Sequence, residues 1–363
     1  MKSVLYCRPL ARKAMLPALT PSLGRVVAAS RFSTASARLQ ATPAPMPSQS
    51  TTDSAASPPA FTSAGLDPYR PGFFNALDRI MKLRKKYAEH RHLFVPGEEM
   101  HEVLKSIGAT DEDFERLRQV SNHLGKDPTL PFREIKQGRI VYDFGADKAI
   151  YRTEKQPFIL SKDEGFKRHD SDSLREFPEV ADDLQQNSVL HALLRFKTFF
   201  IQDLEIAKRP AQDYTSDKWI CTLFNVRTFT SDDVLGEPAL EGVHSDGVDH
   251  TMVTLLGHDN MTDESAITLI HDMREEVGIP IDQTKGPLVK GVAQHWDFLD
   301  TVLIVDSERF HSLTPVRRID ESRRSTRDVL IFFTRKPALE GHASYGVDST
   351  VRHKTLPMRI PVS

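Results

Sequence analysis

From residue 215 onward the chain breaks into short strand-like runs, at 219–229, 249–257, 266–271, 301–305 and 328–334, separated by turn residues and a few charged loops. Such runs do not alternate with helices in the βαβ manner. Two earlier runs, 139–144 and 158–160, also read as strands. Helical spacing dominates upstream: Phe74, Leu77, Ile80, Met81 and Leu83 recur among basic residues. Pro96-Gly97-Glu98-Glu99 opens a second helix, and Thr110 is placed to cap a third that ends near Gly125. One long helix is expected over about 184–208, with Val189, Leu190, Leu193, Leu194, Phe199 and Ile201 as its apolar stripe. Strands that follow helices predict a mainly β chain with flanking helices (α+β), a sandwich or jelly roll with an N-terminal helical elaboration.

Charge is unevenly spread. Residues 1–52 hold seven basic side chains and no acidic one, the first carboxylate being Asp53; the chain has 48 basic and 50 acidic residues, so the remainder has 41 against 50, or −9. A folded part of that sign is a poor phosphate-backbone binder. An Arg-, Ser- and Ala-rich start without acids is the pattern of an organelle import peptide, here over 1–40, addressing the mitochondrion and probing its import machinery. The other reading is a basic tail with no address. Residues 41–68, rich in Ala, Pro, Ser and Thr, read as linker, and 70–363 as one domain, with helices at 70–125 and the β core region at 130–335. No run of about 18 apolar residues is present to span a membrane. Of the two cysteines, Cys7 falls in the leader and Cys221 in an apolar run, where it reads as a core residue.

The chemistry-bearing pattern is His244-Ser245-Asp246, followed by His311 and then Arg327. Residues two apart on a strand point the same way, so His244 and Asp246 can grip one ion together. Two imidazoles and a carboxylate occupy one face of an octahedral ferrous ion and leave the other face open. A second pattern, His295-Trp296-Asp297 with His342 and Arg352, has the same form. Glycines at 242 and 247 favour the first set, since they let the backbone turn tightly around an open site. Strand alternation puts Arg327, Val329, Ile331 and Phe333 on one face. A buried arginine there needs a carboxylate, either an internal one or that of a dicarboxylic cosubstrate.

At these residues the sequence resembles the Fe(II)- and 2-oxoglutarate-dependent dioxygenases, specifically the group of bacterial free amino-acid hydroxylases of the isoleucine dioxygenase type. The resemblance is carried by 241–249, the Asp259-Asn260 region, 306–315 and 327–330, with Pro131-Phe132-Arg133, Gly138-Arg139 and Asn225-Val226-Arg227 upstream. It implies a double-stranded β-helix with iron held by His244, Asp246 and His311, and 2-oxoglutarate reaching Arg327 with its far carboxylate. It further implies O2 as co-reactant, succinate and CO2 as products, and hydroxylation of a small molecule such as a free aliphatic amino acid. Arg227 is a candidate substrate-binding residue, or else a structural ion-pair partner; Asn260 is another, or else a turn residue. A cupin-like binding protein without turnover, and a hydroxylase of protein side chains, are the competing readings.

Overall fold

The computed structural model describes residues 61–362. The leader, the start of the linker and Cys7 lie outside them. The helices are α1 (Phe73–His90), α2 (Gly97–Ser106), α3 (Asp111–Leu117), α4 (Asp182–Gln185) and α5 (Ser188–Ile201). The strands are β1 (Phe61–Thr62), β2 (His92–Val95), β3 (Gly125–Lys126), β4 (Arg133–Asp143), β5 (Ala149–Thr153), β6 (Lys218–Thr230), β7 (His250–Asp259), β8 (Ile267–His271), β9 (Val289–Gln294), β10 (Thr301–Val305), β11 (Phe310–Leu313), β12 (Ser325–Arg335) and β13 (Met358–Pro361).

The strands form two sheets. The larger has the order β1-β13-β5-β4-β6-β12-β7-β10-β2, with β3 beside β4; the smaller has the order β11-β8-β9. Successive strands from β7 to β12 pass between them: β7 large, β8 and β9 small, β10 large, β11 small, β12 large. A bridge between His244 and His311 extends the small sheet beyond β11.

Period-two alternation gives the large sheet two different faces. On one, Cys221, Leu223, Met252, Leu330 and Phe332 join Ile80, Leu83, Tyr87, Leu104, Leu193 and Phe196 of the helices in one core. On the other, Phe224, Val226, Val329, Ile331 and Phe333 pack with Ile135, Phe158 and Phe177. Helix α1 buries Phe73, Ala76, Ile80, Leu83 and Tyr87, a stripe at spacings of three and four. Thr110 caps α3, accepting from the Asp113 N–H, and three acidic residues fill its first turn.

Several sequence expectations need correction. The long helix over 184–208 is two pieces, α4 and α5: Asn187 caps α5 through Val189 N, and the helix stops at Ile201. Helix α3 ends at Leu117 rather than near Gly125, and a 3-10 turn at Val120–His123 follows. The run at 158–160 makes only an isolated bridge from Phe158 to Arg175. The region 73–125 is not wholly helical, because β2 pairs antiparallel with β10 at the edge of the large sheet. Cys221 is fully buried in the core, as expected.

Candidate metal centre

His244 and Asp246 sit on the turn before β7, and His311 on β11. The bridge joins His244 N–H to the His311 carbonyl and His311 N–H to the His244 carbonyl, both at 3.0 Å. The two rings therefore face each other at a centroid distance of 4.2 Å. Asp246 lies between them, its Oδ1 3.5 Å from His244 Nε2 and its Oδ2 3.5 Å from His311 Nε2. All three are buried, and one ligand atom from each falls within 4.8 Å of the others; among the described residues no other such group occurs.

Neighbours set the orientation of each ligand. His244 Nδ1 is 2.9 Å from the Gly242 carbonyl, which can only accept, so Nε2 is the nitrogen presented to the site. Gly242 has φ +74°, and a Cβ there would meet the Ile279 carbonyl oxygen at 2.2 Å, so the turn requires glycine. Thr251 on β7 donates to Asp246 Oδ2 at 2.6 Å. Asp306, at the end of β10, accepts from Asp246 N, Ser245 Oγ and Val248 N at 3.0, 2.6 and 3.2 Å. Arg209 closes the network, giving 2.9 Å to Asp306 Oδ2 and 2.6 Å to Ser245 Oγ.

The electrostatics fit a cation. Burial disfavours the His244 imidazolium, but Glu241 and Asp246 outweigh it and lift that ring to about 9. Burial, with the His244 charge beside it, drives His311 down to about 3. Burial and the neighbouring Asp246 push Asp306 up to about 6. A divalent ion replaces that lone imidazolium proton with two positive charges, and the donor set of two nitrogens and one carboxylate suits ferrous iron.

A cavity of about 110 Å³ between the two sheets joins these residues to Arg327, His295, Arg133, Arg168, Arg175 and Glu241. Arg327 is 3% exposed and, among the described residues, has no ion pair with a carboxylate; its Nη2 contacts His295 Nδ1 at 3.3 Å. His295 Nε2 faces the Val253 carbonyl at 3.1 Å, so the Nδ1 lone pair is left to accept from the guanidinium. Burial and Arg327 hold His295 neutral, at about 3. Burial also lowers Arg327 itself to about 10. Val329, Ile331 and Phe333 line the same cavity, as alternation along β12 requires.

The other candidates are placed elsewhere. Arg227 grips Asp328 through two bonds of 2.7 and 2.6 Å and does not line the cavity, so it is the structural ion-pair partner. Asn260 is a turn residue at φ +53°, bonded to backbone at Asp320 and Arg323. The second His-x-Asp set disperses: His295 serves Arg327, His342 pairs with Glu164 at 2.9 Å, and Arg352 pairs with Asp147 at 2.7 Å. Sequence reasoning missed Glu241, Arg168 and Arg175 as cavity residues. Glu241, three residues before His244, carried the one usable signal.

The family model for 2OG-Fe dioxygenases matches residues 118–333. The bifunctional enzyme flvA of Aspergillus flavus is 48% identical over 294 residues, which are 81% of this chain and 36% of that protein; the chain thus spans about a third of its relative's length. The solved structure of the Fe(II)/α-ketoglutarate-dependent dioxygenase TqaL is 44% identical, with a TM-score of 0.70, over 81% of this chain and 98% of its own. IDO from Bacillus thuringiensis, at 15% identity and a TM-score of 0.53 over 71% of this chain and 99% of its own, shares the fold. The chain belongs to the 2OG-Fe dioxygenase family.

Proposed function

We propose that His244, Asp246 and His311 hold Fe(II), that Arg327 takes the far carboxylate of 2-oxoglutarate, and that the cavity oxidises a small molecule, a free aliphatic amino acid. The observation that carries this reading is the buried His-Asp-His group opening on the same cavity as an arginine that has no carboxylate partner among the described residues. When bound, iron supplies the oxygen chemistry, with 2-oxoglutarate yielding succinate and CO2. The protein's own part is positioning. The Gly242 carbonyl and Thr251 aim His244 and Asp246, while Asp306 fixes the turn that bears them. Neutral His295 holds the Arg327 fork without neutralising it, leaving its charge for a ligand. Phe158, Phe177, Phe224 and Phe333 keep water from the reacting atoms.

The enclosed cavity favours a small substrate over a protein side chain. The passage of successive strands between two sheets supports a jelly-roll reading of the core. The acid-free, basic leader supports mitochondrial, matrix-side localisation, which a fluorescent fusion with and without residues 1–40 tests directly. For the chemistry, anaerobic protein given Fe(II) and 2-oxoglutarate is expected to develop a weak visible charge-transfer band. His244→Ala, Asp246→Ala and His311→Ala should each abolish the band and lower succinate release by roughly 100-fold or more while remaining folded. Retention of the band in all three variants would end this reading.

A further inference from the structure

Two buried charges border the cavity with polar atoms left over: Arg175, which touches neither the metal ligands nor Arg327, and Glu241, which spends only one of its oxygens on His244. Arg175 is 4% exposed, yet among the described residues its one carboxylate contact is Asp170 Oδ2 at 3.4 Å, and its Nε and Nη2 find no hydrogen-bond partner. Its neighbours are satisfied: Arg168 takes both oxygens of Asp170 at 2.5 and 2.8 Å, and Arg133 takes Asp127 at 2.6 Å. Glu241 has a side chain 5% exposed, with Oε1 3.2 Å from His244 Nε2. Its Oε2 has no hydrogen bond, and the nearest cation, Arg168 Nη1, is 3.9 Å away. Buried polar atoms are normally satisfied, so unmatched donors and an unmatched acceptor on one cavity point to a ligand that carries both complements.

The two groups are tied into one site by Phe166. The Arg175 guanidinium lies 5.8 Å from its ring centre, and the ring meets His244 edge-on at 6.2 Å. The rest of this end is apolar, formed by Ile135, Phe158, Phe177, Phe224 and Val226. We infer that Arg175 and Glu241 read the two ends of a zwitterion: Arg175 takes the carboxylate and Glu241 the ammonium of a free amino acid whose aliphatic side chain packs on the phenylalanines. This rests on the reading of the cavity as the substrate site of an iron- and 2-oxoglutarate-dependent enzyme. Neither residue is required to touch the reacting atoms; both set which molecule enters and how it lies.

The test uses the full chain with Fe(II) and 2-oxoglutarate under anaerobic conditions, with binding followed by calorimetry. The probes are L-valine, L-leucine and L-isoleucine, each with its deaminated acid and its decarboxylated amine. At least one amino acid should bind about tenfold or more tighter than either of its fragments, because a site built for a polar group rejects the analogue that lacks it. Arg175→Gln should weaken the amino acid by about tenfold while leaving its matching amine unchanged. Glu241→Gln should weaken the amino acid similarly while leaving the matching acid unchanged. A merely structural role would weaken all three probes together, and that result overturns the assignment. So does a zwitterion that binds no tighter than its fragments. The charge-transfer band separates the two layers: its absence in the unmodified protein sinks the metal reading, whereas a normal band without zwitterion preference sinks this inference alone. Loss of the band in Glu241→Gln only would make Glu241 a metal ligand and also overturn it.

Discussion

Asp306 does not line the cavity, yet donors from three neighbouring residues and Arg209 converge on its two oxygens. An amide cannot satisfy that set, because its NH2 would oppose donors on one side. Asp306→Asn is therefore expected to cost about 3 kcal/mol in urea unfolding and to weaken Fe(II) binding, since the turn bearing His244 and Asp246 loses its anchor. Arg327 invites the opposite experiment, where stability barely changes. Arg327→Met should raise the KM for 2-oxoglutarate by roughly 100-fold, about what losing a buried charge partner costs, and Arg327→Lys should restore it only in part. An unchanged KM in the methionine variant would place the cosubstrate carboxylate elsewhere. At this scale the candidate metal set was readable from the chain, because the donor chemistry of His244-x-Asp246 with a later histidine points to His244, Asp246 and His311 even though the first two sit on a turn. Strand alternation serves Arg327 alone. Arg175 and Glu241 were not. Arg175 sits in a stretch with no periodicity and is marked only by unpartnered nitrogens that tertiary structure reveals, while Glu241 left no signal beyond its position three residues before His244.

Among the elements, α5 carries the least expected group. Lys197 is fully buried in the helix–sheet core, its Nζ giving one bond of 2.8 Å to the Phe332 carbonyl on β12. Burial depresses the ammonium from its ordinary 10.5 to about 8. Between those values the unfolded chain binds more protons than the folded one, so stability should rise with pH across the window. The full increment is about 3 kcal/mol, visible as a urea midpoint that climbs between pH 7.5 and 10. Lys197→Met should abolish that slope and be at least as stable at pH 7.5; an identical slope in the variant would refute the assignment. The helix itself was legible from its apolar stripe, but its interruption was not, because the Asn187 cap looks like any polar residue in a helical pattern. Short strands were the harder case. The four residues of β2 sit between two strong helices, and only pairing with β10 makes them a strand. β9 and β11 gain their identity in the same way, from neighbours distant in the chain.

For the molecule as a whole, the helices brace one face of the large sheet while the other face and the small sheet enclose the cavity. A ligand that fills the cavity binds only the folded state and should stabilise all of it. Added to the Fe(II)-loaded protein, 2-oxoglutarate at about 100 times its dissociation constant is worth roughly 2.7 kcal/mol, or on the order of 5 °C in anaerobic thermal unfolding. His311→Ala should show no such shift. The division into helices first and sheets later was visible in composition and periodicity, whereas the exchange of strands between sheets was not, since it depends on pairings that no local pattern encodes. The stapling of the ligand-bearing turn to Asp306 has a last implication. A cradle shaped by its own neighbours accepts any first-row dication that arrives, and cobalt, nickel or zinc would lodge there at least as firmly as ferrous iron. Fidelity is then left to cellular supply, and trace contaminants become potent poisons of turnover.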